Sequence, residues 1–533
     1  MSTDENRQAP PRTSPETPSE PQPGHGVLVR ARNGDVIRYD STGLVLRLSD
    51  RVIADIAMRL GTPGGAAAAP EPEPIDEEEV LARLEKIDAW NVRTEAGALR
   101  FTARLPGRQG QRDFRMERAN GTVIADAPGR VLGILAIGGP RAALATTEPA
   151  GYPYHILAPG DDIGAVGVAG TETAPVTDLL DPLREMTHEA LIAETFLDWQ
   201  MAKHAPLPLF VIRAETDSSA DAAALARGAA LDNLLIAAGN IRRAASRLGK
   251  SARLYAVVLD FALEDLRHDA LGYRDAMLDL MERIETGLAA IGFDAPVFVA
   301  RFDAGRPGQA PPAVIEGQWE LMWNHGTHRF IGSAPDYMFD FDEYDRPTAT
   351  SRRRMAEMSA AAIAAEAATT RHDPPLERGW RCPILHLAEI EPGAEPVLRV
   401  TARALGPLRL VPGSGTGFAR PVGFALVGAA TAPRIVAARI YPKDPQAVLL
   451  HLDRRPDAGE ELRLSYGYGQ PDANAVFALR DDWQLDSAAG ERLHRWAMPA
   501  WLPVRAGGMQ VPETASSEDR AGDAGSETGG EEA

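Results

Sequence analysis

At 533 residues the chain is too long for one hydrophobic core, so two or three domains are expected. Hydrophobic residues make up 44% and charged residues 25%, ordinary proportions for a globular protein. A net charge of -19 argues against nucleic acid or an anionic membrane surface as a bulk partner, because phosphate affinity needs clustered Lys and Arg; neutral or acetylated glycans stay open.

Residues 1–24 are rich in Pro, Ser, Thr and Glu and read as a disordered tail. They contain no apolar h-region, so no secretory signal is read there, and no run of about 18 apolar residues could insert in a membrane. Synthesis in the cytoplasm, with release by lysis or as part of a particle, is the expectation. Over 25–60 the stretches VLVRAR and VIRYD flank Asn33-Gly34, a hairpin signal, and predict a small β-rich anchor. The Gly/Ala/Pro/Glu segment 61–79 reads as a flexible linker leading into a short helix near 79–88.

Residues 80–372 read as an α/β domain with a β-rich insertion near 92–128. Apolar runs at 131–137, 207–212, 254–261 and 296–300 have the length of buried parallel strands. Helices are predicted at about 219–248, 271–290 and 350–368; in the first, Leu225, Leu231, Leu234, Leu235, Ile241 and Leu248 recur at helical spacing. Such alternation implies a doubly wound parallel sheet, whose ligands sit at the carboxyl ends of the strands. Residues 373–504 change to an all-β pattern (LRVTARAL, VGFALVG, RIVAARIYP, AVLLHLD, ELRLSYGYG), which predicts a sandwich-like domain of about five strands. The acidic Gly/Ser/Glu-rich segment 505–533 reads as a second disordered tail.

The chemistry was sought at the strand ends. The first strand, VLGILAIGG, closes on Gly138-Gly139-Pro140, and the second runs into Glu215-Thr216-Asp217-Ser218-Ser219. The third reads LDFALED at 259–265, and Asp345-Arg346-Pro347-Thr348-Ala349-Thr350 precedes the last helix. In order and spacing, over roughly 131–368, the chain resembles the SGNH hydrolases, in particular their sialate O-acetylesterase-like branch. YRDAMLDLMERIETGL at 273–288 and RRRMAEMSAAAIA at 352–364 are similar to helices of that family. LSYGYGQPDANAVFALRDDWQ at 464–484 and LHRWAMPAWLPV at 493–504 resemble its closing β-domain, through Tyr466, Tyr468, Gly469, Arg480, Asp481, Trp483, Trp496 and Pro499. Trp483 and Trp496 are expected to pin that segment onto the sheet domain.

The resemblance puts Pro140 where the family has its serine nucleophile, Phe261 and Ala262 on a Gln and a Gly, and Thr348 on the histidine base; Asp345 alone matches. Proline offers neither hydroxyl nor N–H, and threonine has no pKa suited to base catalysis. The implied protein is a catalytically inactive SGNH-like carbohydrate-binding protein, with no catalytic residue and no cofactor. Its expected ligand contacts are Thr216, Asp217, Ser218, Asp345 and Thr348, with Trp319, Trp323 and His325 as a cluster suited to stacking on sugar rings. Its implied partner is cell-surface polysaccharide. As a spike or fibre on a phage-like or gene-transfer-agent particle it would meet particle proteins through residues 25–60, as a homo-oligomer. Two alternatives remain: an active O-acetylesterase pairing Ser218 or Ser219 with His268, His325 or His328, and a structural particle component with no glycan ligand. Ser218-Ser219 also read as a helix N-cap.

No metal site is read. His325 and His328 lack a third ligand, and the acidic run 336–345 lacks the turn glycine of a calcium loop and reads as a solvated loop. The single cysteine, Cys382, excludes an internal disulfide and reads as a half-buried thiol.

Overall fold

The computed structural model describes residues 26–30, 36–40, 43–47, 82, 84–95, 97–170, 172–217, 219–260, 269–302, 312–344, 346–369, 379–428, 432–457 and 459–506. The chain divides into two compact units, Met1–Glu73 and Pro74–Ala533. The expected tails and the expected linker at 61–79 lie outside the described residues.

In the first unit β1 (Gly26–Arg30), β2 (Val36–Asp40) and β3 (Gly43–Arg47) form an antiparallel sheet in that order. Arg30 pairs with Val36, so the two strands bracket the Asn33-Gly34 dipeptide.

The second unit opens with an antiparallel four-stranded sheet, β4 (Trp90–Glu95), β5 (Ala98–Arg104), β6 (Gln111–Glu117) and β7 (Val123–Ala125). It buries Leu99, Phe101, Phe114 and Met116 in a small core of its own.

A larger sheet follows. Its strands are β8 (Val131–Gly138), β9 (Ile156–Pro159), β10 (Leu180–Pro182), β11 (Leu209–Thr216), β12 (Ala252–Asp260), β13 (Val297–Phe302) and β14 (Phe330–Pro335). Their order is β10-β9-β11-β8-β12-β13-β14, and every pairing is parallel except β10 with β9. All eight residues of β11 are buried, as are seven of the eight in β8; β8 is a continuous apolar run, while β11 is apolar up to Ile212 and then carries Arg213, Glu215 and Thr216 at its carboxyl end.

Six helices are described: α1 (His188–Ala202), α2 (Ala222–Leu225), α3 (Ala229–Arg247), α4 (Ala270–Ile291), α5 (Pro312–Trp323) and α6 (Ala349–Ala367). α1 packs on β8, β9 and β11 and against α6, while α3 packs on β8, β11 and β12 and against α4. The helix expected over 219–248 is two helices, broken at Gly228, which is the N-cap of α3. α4 has a clear stop: Gly292 adopts φ 93°, and its N–H returns to the Leu288 and Ala289 carbonyls.

The C-terminal part holds ten strands rather than the five expected: β15 (Ile384–Ile390), β16 (Val397–Arg403), β17 (Arg409–Pro412), β18 (Phe424–Val427), β19 (Ile435–Ile440), β20 (Ala447–Leu452), β21 (Arg463–Tyr466), β22 (Phe477–Asp486), β23 (Arg492–Trp496) and β24 (Ala500–Ala506). Seven of them run in the order β18-β21-β24-β15-β16-β20-β19, with the end strands β18 and β19 in contact. This sheet curls nearly into a barrel instead of forming a simple sandwich, while β17, β22 and β23 make a small separate sheet.

These strands share one continuous core with the parallel sheet. β14 ends the parallel sheet, yet all six of its residues are buried, because the C-terminal part covers it. Trp380 donates from its indole to the Ser333 carbonyl at 3.2 Å and meets Trp483 edge to face at 4.7 Å. Tyr337, just beyond β14, donates to the Ala497 carbonyl at 2.5 Å and lies 3.2 Å from the Tyr466 hydroxyl. An edge strand covered this way presents no free ladder to other chains. Cys382 belongs to the same clasp and is fully buried, not half-buried; burial pushes its thiol up to about 12.

Gly138 sets how closely β8 and β12 approach at their carboxyl ends. A Cβ there would lie 2.0 Å from the Asp260 carbonyl oxygen, a backbone atom that cannot swing away. Gly138→Ala is therefore expected to lower stability by about 1–3 kcal/mol, read as a fall in Tm. An unchanged Tm would show that the two strands can separate freely.

Candidate functional site

Sheet order reverses direction at β8. The crevice outside the carboxyl ends of β8 and β12 is therefore the topological switch point, where open α/β sheets present their chemistry. Pro140–Ala143 forms a 3-10 turn directly after β8 and carries Arg141. β12 ends on Asp260, β13 carries Arg301 next to its last residue, and Asp336 follows β14.

These side chains form one buried network. Arg301 Nη2 lies 2.9 Å from Asp260 Oδ1, Arg301 Nη1 lies 3.3 Å from Asp336 Oδ1, and Arg141 Nη1 lies 3.5 Å from Asp336 Oδ2. The Arg301, Asp260 and Asp336 side chains are each less than a tenth exposed, at 9%, 8% and 7%. Two guanidinium groups balance two carboxylates. Burial alone would raise the Asp260 pKa, but Arg301 and then Arg141 hold it below the ordinary carboxylate value. Burial works against the Arg301 charge, and Asp260 and Asp336 more than restore it.

Beside the network stands His188, the first residue of α1. Its Nε2 lies 3.2 Å from Ser359 Oγ on α6. Burial first, then Arg301, pull this imidazole down to about 3 against the opposing charge of Asp260, so it is neutral near pH 7. Ser359 is fully buried, and its oxygen also lies 3.4 Å from Ser333 Oγ. Arg352 of α6 donates to the Leu144 and Met186 carbonyls at 3.1 and 2.8 Å, tying α6 to the segment after β8.

A second buried group lies farther along the strand ends. Arg213 of β11 is fully buried, bonded to Asp161, and 3.5 Å from Glu215 Oε1. One cation faces two carboxylates. Burial pushes the Glu215 carboxyl up to about 7, against Arg213 and with the help of Asp161.

The residues expected to bind ligand do not converge. Thr216 is buried at the end of β11. Asp217 donates its N–H to the Gly138 carbonyl at 3.1 Å and accepts both the Ser219 N–H and the Ser219 hydroxyl. The expected serine N-cap is replaced by Asp221, which accepts the Ala224 N–H at 2.8 Å. Thr348 caps α6 through the Ser351 N–H at 3.2 Å. Trp319, Trp323, His325 and His328 precede β14 and so stand at the opposite, amino end of the sheet. There the Trp319 indole donates to the Leu385 carbonyl at 2.7 Å, His325 Nδ1 lies 2.9 Å from the His328 carbonyl, and His328 lies 3.0 Å from Glu285. Ser218, Phe261, Ala262, His268 and Asp345 lie outside the described residues. The acidic run is not simply solvated: Asp336 is buried in the network, while Asp342 accepts the N–H groups of Tyr344 and Arg346. Among the described residues no group of three or more His, Cys, Asp or Glu could hold a metal ion, and no helix is long and apolar enough to cross a membrane.

From the sequence, Asp260 and Arg301 are passed over, and Asp336 enters only as part of a solvated acidic run. A signal was there: AVVLD and VFVARF each carry one charge at the carboxyl end of an apolar run.

No family model and no curated protein matches the chain. Among solved structures it is similar to a modular endo-beta-1,4-mannanase from Cellulomonas fimi, at 11% identity over 60% of this chain and 58% of that one, with a TM-score of 0.17. A chitinase, ChiW from Paenibacillus sp. str. FPU-7, is similar at 9% identity over 78% of this chain and 45% of that one, also with a TM-score of 0.17. The chain thus spans less than two thirds of either enzyme. Likeness at this level carries no argument, and the site rests on its own geometry.

Two outcomes follow. Arg301→Leu leaves the buried Asp260 carboxylate without its ion-pair partner and Asp336 with Arg141 alone, and is expected to cost about 3–5 kcal/mol in chemical denaturation, whereas a loss under about 1 kcal/mol would deny the network its role. Glu215 has its folded pKa raised from 4.5 to about 7, so its contribution to stability is full below about pH 4.5 and is lost as pH rises through 7. Glu215→Gln keeps the neutral form at every pH. Its Tm relative to the unsubstituted protein is therefore expected to improve between about pH 5 and about pH 8, and a constant difference would contradict the assignment.

Proposed function

We propose that the chain is an SGNH-like α/β protein that binds cell-surface carbohydrate without turning it over. The observation that carries this reading is at the switch point, where the groups capable of chemistry are engaged with one another. Arg301 and Arg141 are held by Asp260 and Asp336. Pro140 opens the turn in which the resembling family has its nucleophile, and Thr348 serves as a helix cap. The order β11-β8-β12-β13-β14, with the first strand central, suits a doubly wound arrangement.

In this reading the protein acts as a spike or fibre on a phage-like or gene-transfer-agent particle. The first unit is the anchor to particle proteins, polysaccharide is the ligand, and the assembly is a homo-oligomer. The fold-level part is analogy.

The esterase alternative has one observation in its favour, the contact of His188 with Ser359. Against it, Ser359 is fully buried, which leaves no path for an acyl group, and Asp260 is bonded to Arg301 rather than free to orient the imidazole. The test uses O-acetylated polysaccharide in two assays, acetate release and retardation in affinity gels. The expected result is retardation with no acetate above the blank. Acetate release that disappears in Ser359→Ala or Ser218→Ala would replace this reading with the esterase.

A further inference from the structure

The amino end of the sheet carries a guanidinium stacked on an indole with no carboxylate partner among the described residues. Arg403, at the end of β16, is exposed and holds its guanidinium 5.1 Å from the centre of the Trp323 ring. The same ring meets His386 edge to face at 5.8 Å and lies 5.8 Å from Trp319. Arg381 joins the cluster. Burial, then repulsion from Arg403, lowers its pKa, and Arg381 in turn lowers the pKa of His325, after burial.

Among the described residues neither Arg381 nor Arg403 has a carboxylate partner. The nearby carboxylates act elsewhere. Glu366 is bonded to Arg329 at 3.2 Å, and Asp444, which faces His386, accepts the Gln446 N–H at 2.8 Å. Two ring nitrogens of the cluster, Trp323 Nε1 and His386 Nδ1, are buried with no hydrogen-bond partner. On a chain of net charge -19 with abundant carboxylates, the guanidinium of Arg403 thus stacks on an indole and, among the described residues, has no carboxylate within ion-pair distance.

We propose that Arg381 and Arg403, with Trp323 and His386, form a subsite for a carboxylate carried on a sugar ring. An acidic polysaccharide is then the preferred ligand. This deepens the glycan-binding reading and rests on it for the sugar. Guanidinium groups offer planar, bidentate donors to a carboxylate, and an Arg held flat on an indole loses little freedom on binding. The indole edge and the His386 ring supply apolar surface for the ring that bears the charge.

The experiment is a glycan array of matched neutral and uronate-containing polysaccharides. The full chain is applied unsubstituted and as Arg403→Gln and Arg381→Gln, with inorganic phosphate as competitor. The expected result is a roughly tenfold preference for uronate forms, weakened by salt and by phosphate and lost in either variant while neutral binding stays unchanged. Because Arg403 is exposed, its substitution keeps the test valid if Arg381→Gln destabilises the fold. Glycan binding without a uronate preference, or a preference that survives both substitutions, overturns the subsite and leaves the glycan reading standing. If no glycan binds but phosphate quenches Trp fluorescence in an Arg403-dependent way, the glycan reading fails and the anion subsite stands. No binding of any probe overturns the subsite.

Discussion

Arg301 bridges two buried carboxylates, and the arrangement of the strand ends depends on it. Its two contacts, to Asp260 on β12 and to Asp336 after β14, tie together the ends of three adjacent strands. Arg141 extends the tie to the turn after β8. Desolvating four charges is costly, and ion networks of this kind are poor sources of stability in themselves. What they enforce is pairing. Arg301 cannot leave or turn toward a ligand without stranding Asp260, so the ends of β12 and β13 are held in one arrangement. Gly138 makes that arrangement possible by letting β8 and β12 meet without a Cβ between them.

The second constraint is the cover on β14. A parallel sheet ending in Phe-Ile-Gly-Ser-Ala-Pro would expose a full ladder edge, and the C-terminal strands remove that liability. Trp380, Tyr337 and Tyr466 do so with large apolar surfaces whose polar atoms still find partners, and Trp483 packs edge to face on Trp380. Trp496 takes part by packing edge to face on Phe418 at 4.9 Å, and Phe418 in turn packs on Tyr337. The same cover brings His386 and Arg403 against Trp323, so the sheet has two unlike ends. At one, Arg301 and Arg141 are paired with Asp260 and Asp336; at the other, Arg403 stacks on Trp323 and has no carboxylate partner among the described residues.

Much of the fold was legible because burial on both faces writes itself as apolar runs. β8, β11, β12 and β13 fall where those runs fall, α3 follows from helical spacing, and α4 stops at Gly292. β14 was not legible, since Gly332, Ser333 and Pro335 carry little strand propensity and its burial comes from residues up to 160 positions away, as in the Tyr337–Ala497 bond. α1 was missed because Glu189 and Glu194 are buried in it and blur its apolar face. The candidate site was legible in location but not in content. Strand ends pointed to the right place, whereas the network joins residues 41 and 35 positions apart that no local pattern links. Trp323 and His325 stood out by composition, yet only the fold shows that they sit at the other end of the sheet from Thr216 and Thr348.

The proposed binding role requires that the switch point, engaged in structure among its described residues, offers no reactive hydroxyl. Incubation with a fluorophosphonate, which labels activated serines covalently, followed by intact-mass measurement tests this most directly. The account predicts an unchanged mass. A stoichiometric adduct that maps to Ser359, or to a serine after β11, would contradict it.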